Sequence, residues 1–441
     1  MNSFTRFDTL KLGLTMFALF FGAGNMIFPP LLGQQAGTQT WITLAGFLIT
    51  GVGLPYLGVI AVTMSGNQLS DLAGKASPLF AMIFPLVVYL ALGPFFGVPR
   101  TATVSFEIAV SPFVPDSYTR LALVLFSILF FAVTIWLSLK PNKMVDRFGS
   151  ILTPILLAIV TLIVLIGIVN PVGEAGLPQE PYSKDFFFKG FIEGYGTMDA
   201  MAALVFAIIV INAVKAKGIT DRKAITSITM KAGTIAVIGL SLVYAGLAYL
   251  GMTSRSVAEG ATNGGDILAK LAYALMGNNG LYLLGLAVTL ACLTTSVGLV
   301  SASASYLSRV ATAVSYKGFV FIISIFSTVV ANIGLTQLLA VTIPVLVGIY
   351  PLAIVLIIFR LFHRLFRGYH EVYILGLIAA GVIGIFDMLS AFGLEWAPAV
   401  KVLGYLPLYT QGVGWILPAV VFGLIGYVIA AAQGKPRVEQ Q

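Results

Sequence analysis

Apolar runs of about 20 residues, the length that crosses the hydrocarbon core of a bilayer, succeed one another along almost the whole chain. Short stretches richer in charge, glycine and proline separate them. The pattern predicts membrane helices near residues 12–32, 40–63, 79–106, 120–139, 148–169, 191–213, 228–251, 279–306, 317–335, 338–359, 372–391 and 412–432. These twelve spans leave no room for a soluble domain, so the expected class is an all-α membrane protein.

Two spans are interrupted. Residues 22–30 read Gly-Ala-Gly-Asn-Met-Ile-Phe-Pro-Pro inside the first apolar run. Irregular backbone at membrane depth persists where protein or a polar solute satisfies its amides and carbonyls, so a broken span is a candidate binding site. Tandem prolines remove two donors and disfavour helix before them, which makes residues 22–30 the expected extent of the break. The sixth span opens with Glu193-Gly-Tyr-Gly-Thr-Met-Asp199 ahead of an apolar run. Five spans separate the two interruptions, and an odd number makes a second five-helix unit enter the membrane in the opposite sense. The expected organisation is therefore a five-plus-five inverted repeat, residues 1–170 and 190–360, with two further helices in 371–432.

Composition agrees with a polytopic membrane protein: 59% of the 441 residues are hydrophobic and 10% charged, with a mean hydropathy of +0.99. The first apolar segment lacks a small-residue cleavage site and is expected to stay with the protein. A net charge of +8 raises nucleic acid as a partner, but its distribution argues otherwise. With the N-terminus inside, 18 of the 25 basic residues fall in inner segments, from Arg6 and Lys11 through Lys140, Lys143 and Arg147 to Lys435 and Arg437. The positive-inside rule then places both ends in the cytoplasm, and the basic balance reflects topology rather than a polyanion site. Cys292 is the only cysteine, excluding an intrachain disulfide or thiolate metal site. His363 and His370 share a basic loop without other metal-ligand types nearby.

Ionisable residues inside spans are expensive and are functional candidates by default. Arg100 and Glu107 lie seven apart on one helical face, and the favoured reading is a structural ion pair near the outer surface. Asp199 follows the sixth-span break and could couple a cation, relay a proton or cap the helix that follows it. The eighth span carries Ala291-Cys-Leu-Thr-Thr-Ser296 and then Ser301, Ser303 and Ser305. These hydroxyls either bond within their own helix and pack, or join freed carbonyls to hold a hard cation such as sodium. The chain has no Gly-x-Ser-x-Gly elbow, no phosphate loop and no His-Glu-x-x-His, so neither an enzyme nor a nucleotide-driven pump is expected.

Taken together, residues 22–30, the third-span run Gly-Pro-Phe-Phe-Gly-Val-Pro-Arg-Thr-Ala-Thr-Val-Ser-Phe-Glu (93–107) and Gly-Tyr-Gly-Thr-Met-Asp (194–199) resemble the bacterial branched-chain amino acid carrier (BrnQ) family. The likeness covers essentially the whole chain. It implies the leucine-transporter-type fold and symport of leucine, isoleucine and valine with a cation across the bacterial inner membrane, with no cofactor and no obligate protein partner. Matched to the wider class, Gly22, Gly24 and Asn25 imply that the carbonyls of Ala18 and Phe21 face a sodium ion. The match of Ala291, Thr294 and Thr295 implies one further carbonyl and two hydroxyls. Phe20, Gly22, Gly24 and Asn25 would border the substrate, with Gly194, Tyr195, Gly196 and Thr197 from the sixth span. Only one ion is implied, because the other side-chain ligands of a second site have no counterpart here, and Asn25 would instead tie the broken helix together. The rival expectations are a proton-coupled carrier of another small apolar or heterocyclic solute on the same fold, and a channel or transporter-like sensor.

Overall fold

The computed structural model describes residues 4–139, 153–180 and 182–436, and among these there are helices and connections but no strand. In chain order the helices are α1 (Arg6–Phe20), α2 (Ala23–Ala36), α3 (Thr40–Leu48), α4 (Leu54–Ser65), the short α5 (Leu69–Ala73), α6 (Pro78–Leu90), α7 (Gly97–Ala109), α8 (Thr119–Ser138) and α9 (Thr153–Val169). They continue with α10 (Phe186–Glu193), α11 (Asp199–Lys215), α12 (Arg222–Met252), α13 (Gly264–Met276), α14 (Asn278–Val310), α15 (Tyr316–Ala331), α16 (Leu335–Leu361), α17 (His370–Ala391), α18 (Ala397–Leu403) and α19 (Ile416–Ala432). Among the described residues seven segments are long and apolar enough to cross a membrane, eight if the bent pair α10–α11 is one span, and α9, α15 and α19 are shorter apolar helices. The start of the span expected at 148–169, with Lys140, Lys143, Arg147 and Arg437, lies outside the described residues.

The helices are built for lipid. On α8 the exposed face carries Leu121, Leu125, Ile128, Leu129 and Trp136, whereas Ser127, Thr134 and Ser138 point inward. Two of these inward hydroxyls are satisfied locally, Ser127 donating to the Val124 carbonyl (2.9 Å) and Thr134 to that of Phe130 (3.0 Å). Apolar side chains outside and polar groups turned inward are what a hydrocarbon solvent selects.

Glycines let α2 approach its neighbours backbone to backbone. A Cβ at Gly251 of α12 would stand 2.0 Å from the Pro30 carbonyl oxygen, and one at Gly264 of α13 1.7 Å from that of Ile27. Side chains there would force the helices apart, as at other small-residue contacts in membranes. The second half of the first span is thereby fixed to α12 and α13.

The third span departs from expectation. The apolar run 79–106 reads as continuous, but a π turn over Ala91–Phe95 separates α6 from α7, with Gly93 at a non-helical ψ of −111°. Pro94 has no amide to donate, and Phe96 closes the wide turn on the Ala91 carbonyl (3.0 Å). A Cβ at Gly93 would stand 2.8 Å from Ser303 Oγ, so the turn nests against the hydroxyl-bearing part of α14. Arg100 therefore comes from the first turn of a new helix.

Candidate functional site

The first break is narrower than residues 22–30. Helix α1 stops at Phe20 and α2 begins at Ala23, leaving Phe21 and Gly22 between them. Pro29 and Pro30 sit inside α2, where their ring φ suits a helix and their cost is two missing donors. The break is closed by a side chain. The Gly22 amide donates to Asn25 Oδ1 (3.0 Å) rather than to the Ala18 carbonyl, which it would reach in a continuous helix. That carbonyl instead faces Thr294 Oγ1 at 3.5 Å, a hydroxyl that also donates to Ala291 O (2.8 Å). The neighbouring Thr295 Oγ1 is buried without a hydrogen-bond partner among the described residues, and a Cβ on Gly22 would come within 2.5 Å of it.

The second break is a 3₁₀ turn over Gly194–Thr197 followed by Met198 in the left-handed region (φ 67°), and it bends the α10–α11 pair by 44°. Thr197 Oγ1 donates to the Gly194 carbonyl (2.9 Å) and accepts from the Asp199 amide (3.3 Å). The Gly196 and Thr197 carbonyls are held by Arg100, whose Nη1 and Nη2 donate to them at 2.5 and 3.0 Å. The guanidinium also lies 5.9 Å from the centre of the Phe28 ring, a cation–π distance.

A buried polar cluster ties the two breaks together. Asp199 Oδ2 accepts from Asn25 Nδ2 (2.5 Å) and from the Tyr244 hydroxyl (3.1 Å), and Asn25 and Tyr244 also touch. All three side chains are at most 3% exposed. The cap of α11 falls on Met198, which makes no side-chain cap bond, so the Asp199 carboxylate reaches out to α2 and α12 rather than capping its own helix.

Between the breaks lies a cavity of about 20 Å³, room for about one water. Phe20, Gly22, Gly24, Asn25, Thr197, Asp199, Thr295 and Arg100 line it, with Leu92, Met198 and Leu299. Of the residues singled out in the sequence, Gly194 and Tyr195 stand behind it. Gly194 packs on Thr50, and Tyr195 stacks on Tyr350 with ring centres 4.3 Å apart. Gly196 contributes the carbonyl held by Arg100. Ala18, Ala291 and Thr294 meet one another beside the cavity, whereas the Phe21 ring stacks on Phe17 at 5.1 Å.

Arg100 is the residue that the sequence reading misplaced. It is 3% exposed and turned to the second break, while Glu107 accepts from Asn263 Nδ2 (3.4 Å) in place of an ion pair with Arg100. Seven helical residues span about 10 Å along the axis, so a shared face does not bring these groups together. The Gly-Pro at 93–94, just ahead of an arginine in an apolar run, was the signal that a third break aims it inward.

A family model described as branched-chain amino acid transport protein matches residues 5–433. The branched-chain amino acid permease BraB of Bacillus subtilis (strain 168) is 48% identical over 431 residues, covering 98% of this chain and 97% of that protein. The branched-chain amino acid transport system 2 carrier protein of Pseudomonas aeruginosa is 44% identical over 432 residues, covering 98% of each. Among solved structures, the nucleobase-cation-symport-1 family transporter Mhp1, closed with bromovinylhydantoin bound, superposes with a TM-score of 0.62 at 14% identity, covering 98% of this chain and 94% of that one. MhsT in complex with L-phenylalanine gives 0.57 at 15% identity, covering 98% and 99%. These two likenesses speak to the fold alone.

Proposed function

The chain belongs to the branched-chain amino acid transport protein family and is a membrane transporter rather than an enzyme, and from that premise we propose that it imports leucine, isoleucine and valine together with sodium by alternating access. The proposed frame is twelve spans in a five-plus-five inverted repeat with two added helices, in the bacterial inner membrane with both termini cytoplasmic. The positive-inside distribution of its basic residues supports the orientation.

A zwitterionic amino acid fits the polarity of the cavity. The N-terminus of α2, with the amides of Ala23 and Gly24 in its first turn, suits a carboxylate, and the carbonyls of the second break suit an ammonium. An aliphatic side chain then needs only apolar wall. One methylene is worth about 0.8 kcal/mol, so modest preference among the three branched-chain substrates is expected. Because the cavity holds about one water, substrate entry requires the side chains around it to move, as alternating access demands.

One observation carries the sodium assignment. Asn25 takes the Gly22 amide, freeing the Ala18 carbonyl toward Thr294, and Thr295 Oγ1 beside it is buried without a partner. A hard cation would satisfy these oxygens with those of Phe21 and Ala291. The test is uptake of labelled leucine into proteoliposomes under imposed gradients. Uptake driven by an inward sodium gradient is expected. Uptake that ignores sodium and follows a proton gradient would overturn the ion and bring Asp199 forward as proton carrier. Tight leucine binding without uptake would favour a sensor.

A further inference from the structure

Arg100 is a buried cation that no carboxylate among the described residues meets in a contact ion pair; Asp199, on the same cavity, acts on it only at longer range. Its Nε has no hydrogen-bond partner either, although the side chain lines the cavity between the two breaks. Withholding the contact partner of a buried charge is costly, because the charge has left water and a carboxylate at longer range repays only part of that loss. The carbonyls of Gly196 and Thr197 supply dipoles to Nη1 and Nη2, yet these are the carbonyls that a substrate ammonium needs. The nearest carboxylate in the cavity, Asp199, is committed to Asn25 and Tyr244.

Across the same space stands the start of α2. A Cβ on Gly24 would be 2.9 Å from Arg100 Nη2, so the guanidinium lies directly against the helix end that favours an anion. A planar fork and a helix N-terminus converging on one small space are a donor set for a carboxylate.

We propose that Arg100 is the carboxylate anchor of the bound amino acid, and that its guanidinium here stands in for the substrate ammonium on the Gly196 and Thr197 carbonyls. This rests on the reading of the chain as an amino acid transporter. On binding, Arg100 exchanges the two carbonyls for the substrate carboxylate, and the carbonyls receive the ammonium. Arg100 thereby trades two dipole contacts for a full counter-charge, and the carbonyls hold a cation throughout. The exchange couples recognition to the geometry of the second break, because the turn loses its tether as it gains a ligand. A solute without a carboxylate cannot release Arg100.

The experiment uses the full-length protein in lipid nanodiscs with saturating sodium. It compares binding of L-leucine, L-leucinamide, 3-methylbutylamine and 4-methylpentanoate in wild type, Arg100→Met and Arg100→Lys. Wild type is expected to bind leucine at least about 30-fold more tightly than leucinamide, the loss that follows removal of one partner of a buried charge pair. In Arg100→Met the two affinities should converge to within a few-fold, with Arg100→Lys intermediate. A residue that merely braces the second break would weaken both ligands alike and keep their ratio, and that result overturns the assignment. So does a wild type that takes leucinamide as readily as leucine, a comparison that stands even if Arg100→Met fails to fold. A wild type silent toward the whole series overturns the transporter reading itself and is told apart by that silence.

Discussion

The two breaks solve the same problem by different means. At Phe21–Gly22 the lost helical bond is replaced from three residues away, by Asn25 folding back on the Gly22 amide. At Gly194–Met198 the exposed carbonyls are held from the far side of the site, by an arginine 96 residues earlier in the chain. A locally capped break has a shape of its own. A break held by a distant cation keeps its shape only while that cation stays, so the second is the half of the site free to change.

Two substitutions should separate the breaks most strongly. Asn25→Leu removes the acceptor of the Gly22 amide and a donor to Asp199, and leaves both groups buried. The expected loss is about 3–5 kcal/mol of unfolding free energy, the range for stranding buried polar and charged groups, read from denaturation of the purified protein. Stability near that of wild type would show that the cap does not set the first break. Gly24→Leu acts next. Its Cβ would meet the Thr197 Cα and Arg100 Nη2, each at 2.9 Å, so it wedges the two breaks apart and should abolish leucine binding. Retained affinity would remove the space between the breaks from the substrate path.

What the chain discloses on inspection follows the same division. Apolar length announces the spans: run 120–139 became Thr119–Ser138 and run 372–391 became His370–Ala391. Gly-x-Gly-Asn announces the first break because its cap closes within four residues. Pro29–Pro30 misleads, because the pair lies at the middle of α2 and costs it two donors without ending it. Arg100 stays hidden, because its role depends on a third break and on carbonyls nearly a hundred residues away. Asn25, Asp199 and Tyr244 meet across 174 and 219 residues of sequence, a contact no local pattern encodes. Left-handed Met198 is equally silent, since the region is one that a side chain of its kind rarely enters.

Thr295→Ala probes the ion that would lean on the first break alone. It deletes the buried, unpartnered hydroxyl while leaving the Asn25 cap and Arg100 untouched. Sodium activation should shift about tenfold to higher concentration, equivalent to about 1.4 kcal/mol, with leucine affinity at saturating sodium almost unchanged. An unaltered sodium dependence would detach the ion from the first break, and the contrast between an ion-bearing and a substrate-bearing break would go with it.

The smallest expected effect is the sharpest test of how the second break is held. Thr197→Val keeps the side-chain shape but removes its hydroxyl, which donates to the Gly194 carbonyl and accepts from the Asp199 amide. Were the second break capped locally like the first, this change would be as damaging as Asn25→Leu. With Arg100 still gripping the Gly196 and Thr197 carbonyls, the loss should be about 1–2 kcal/mol, that of ordinary hydrogen bonds within a turn, and leucine uptake should persist. Combining it with Arg100→Met should then cost more than the two single changes added, because each leaves the turn dependent on the other. Strict additivity would mean that hydroxyl and guanidinium hold independent parts of the turn, and the second break would no longer be one held from a distance.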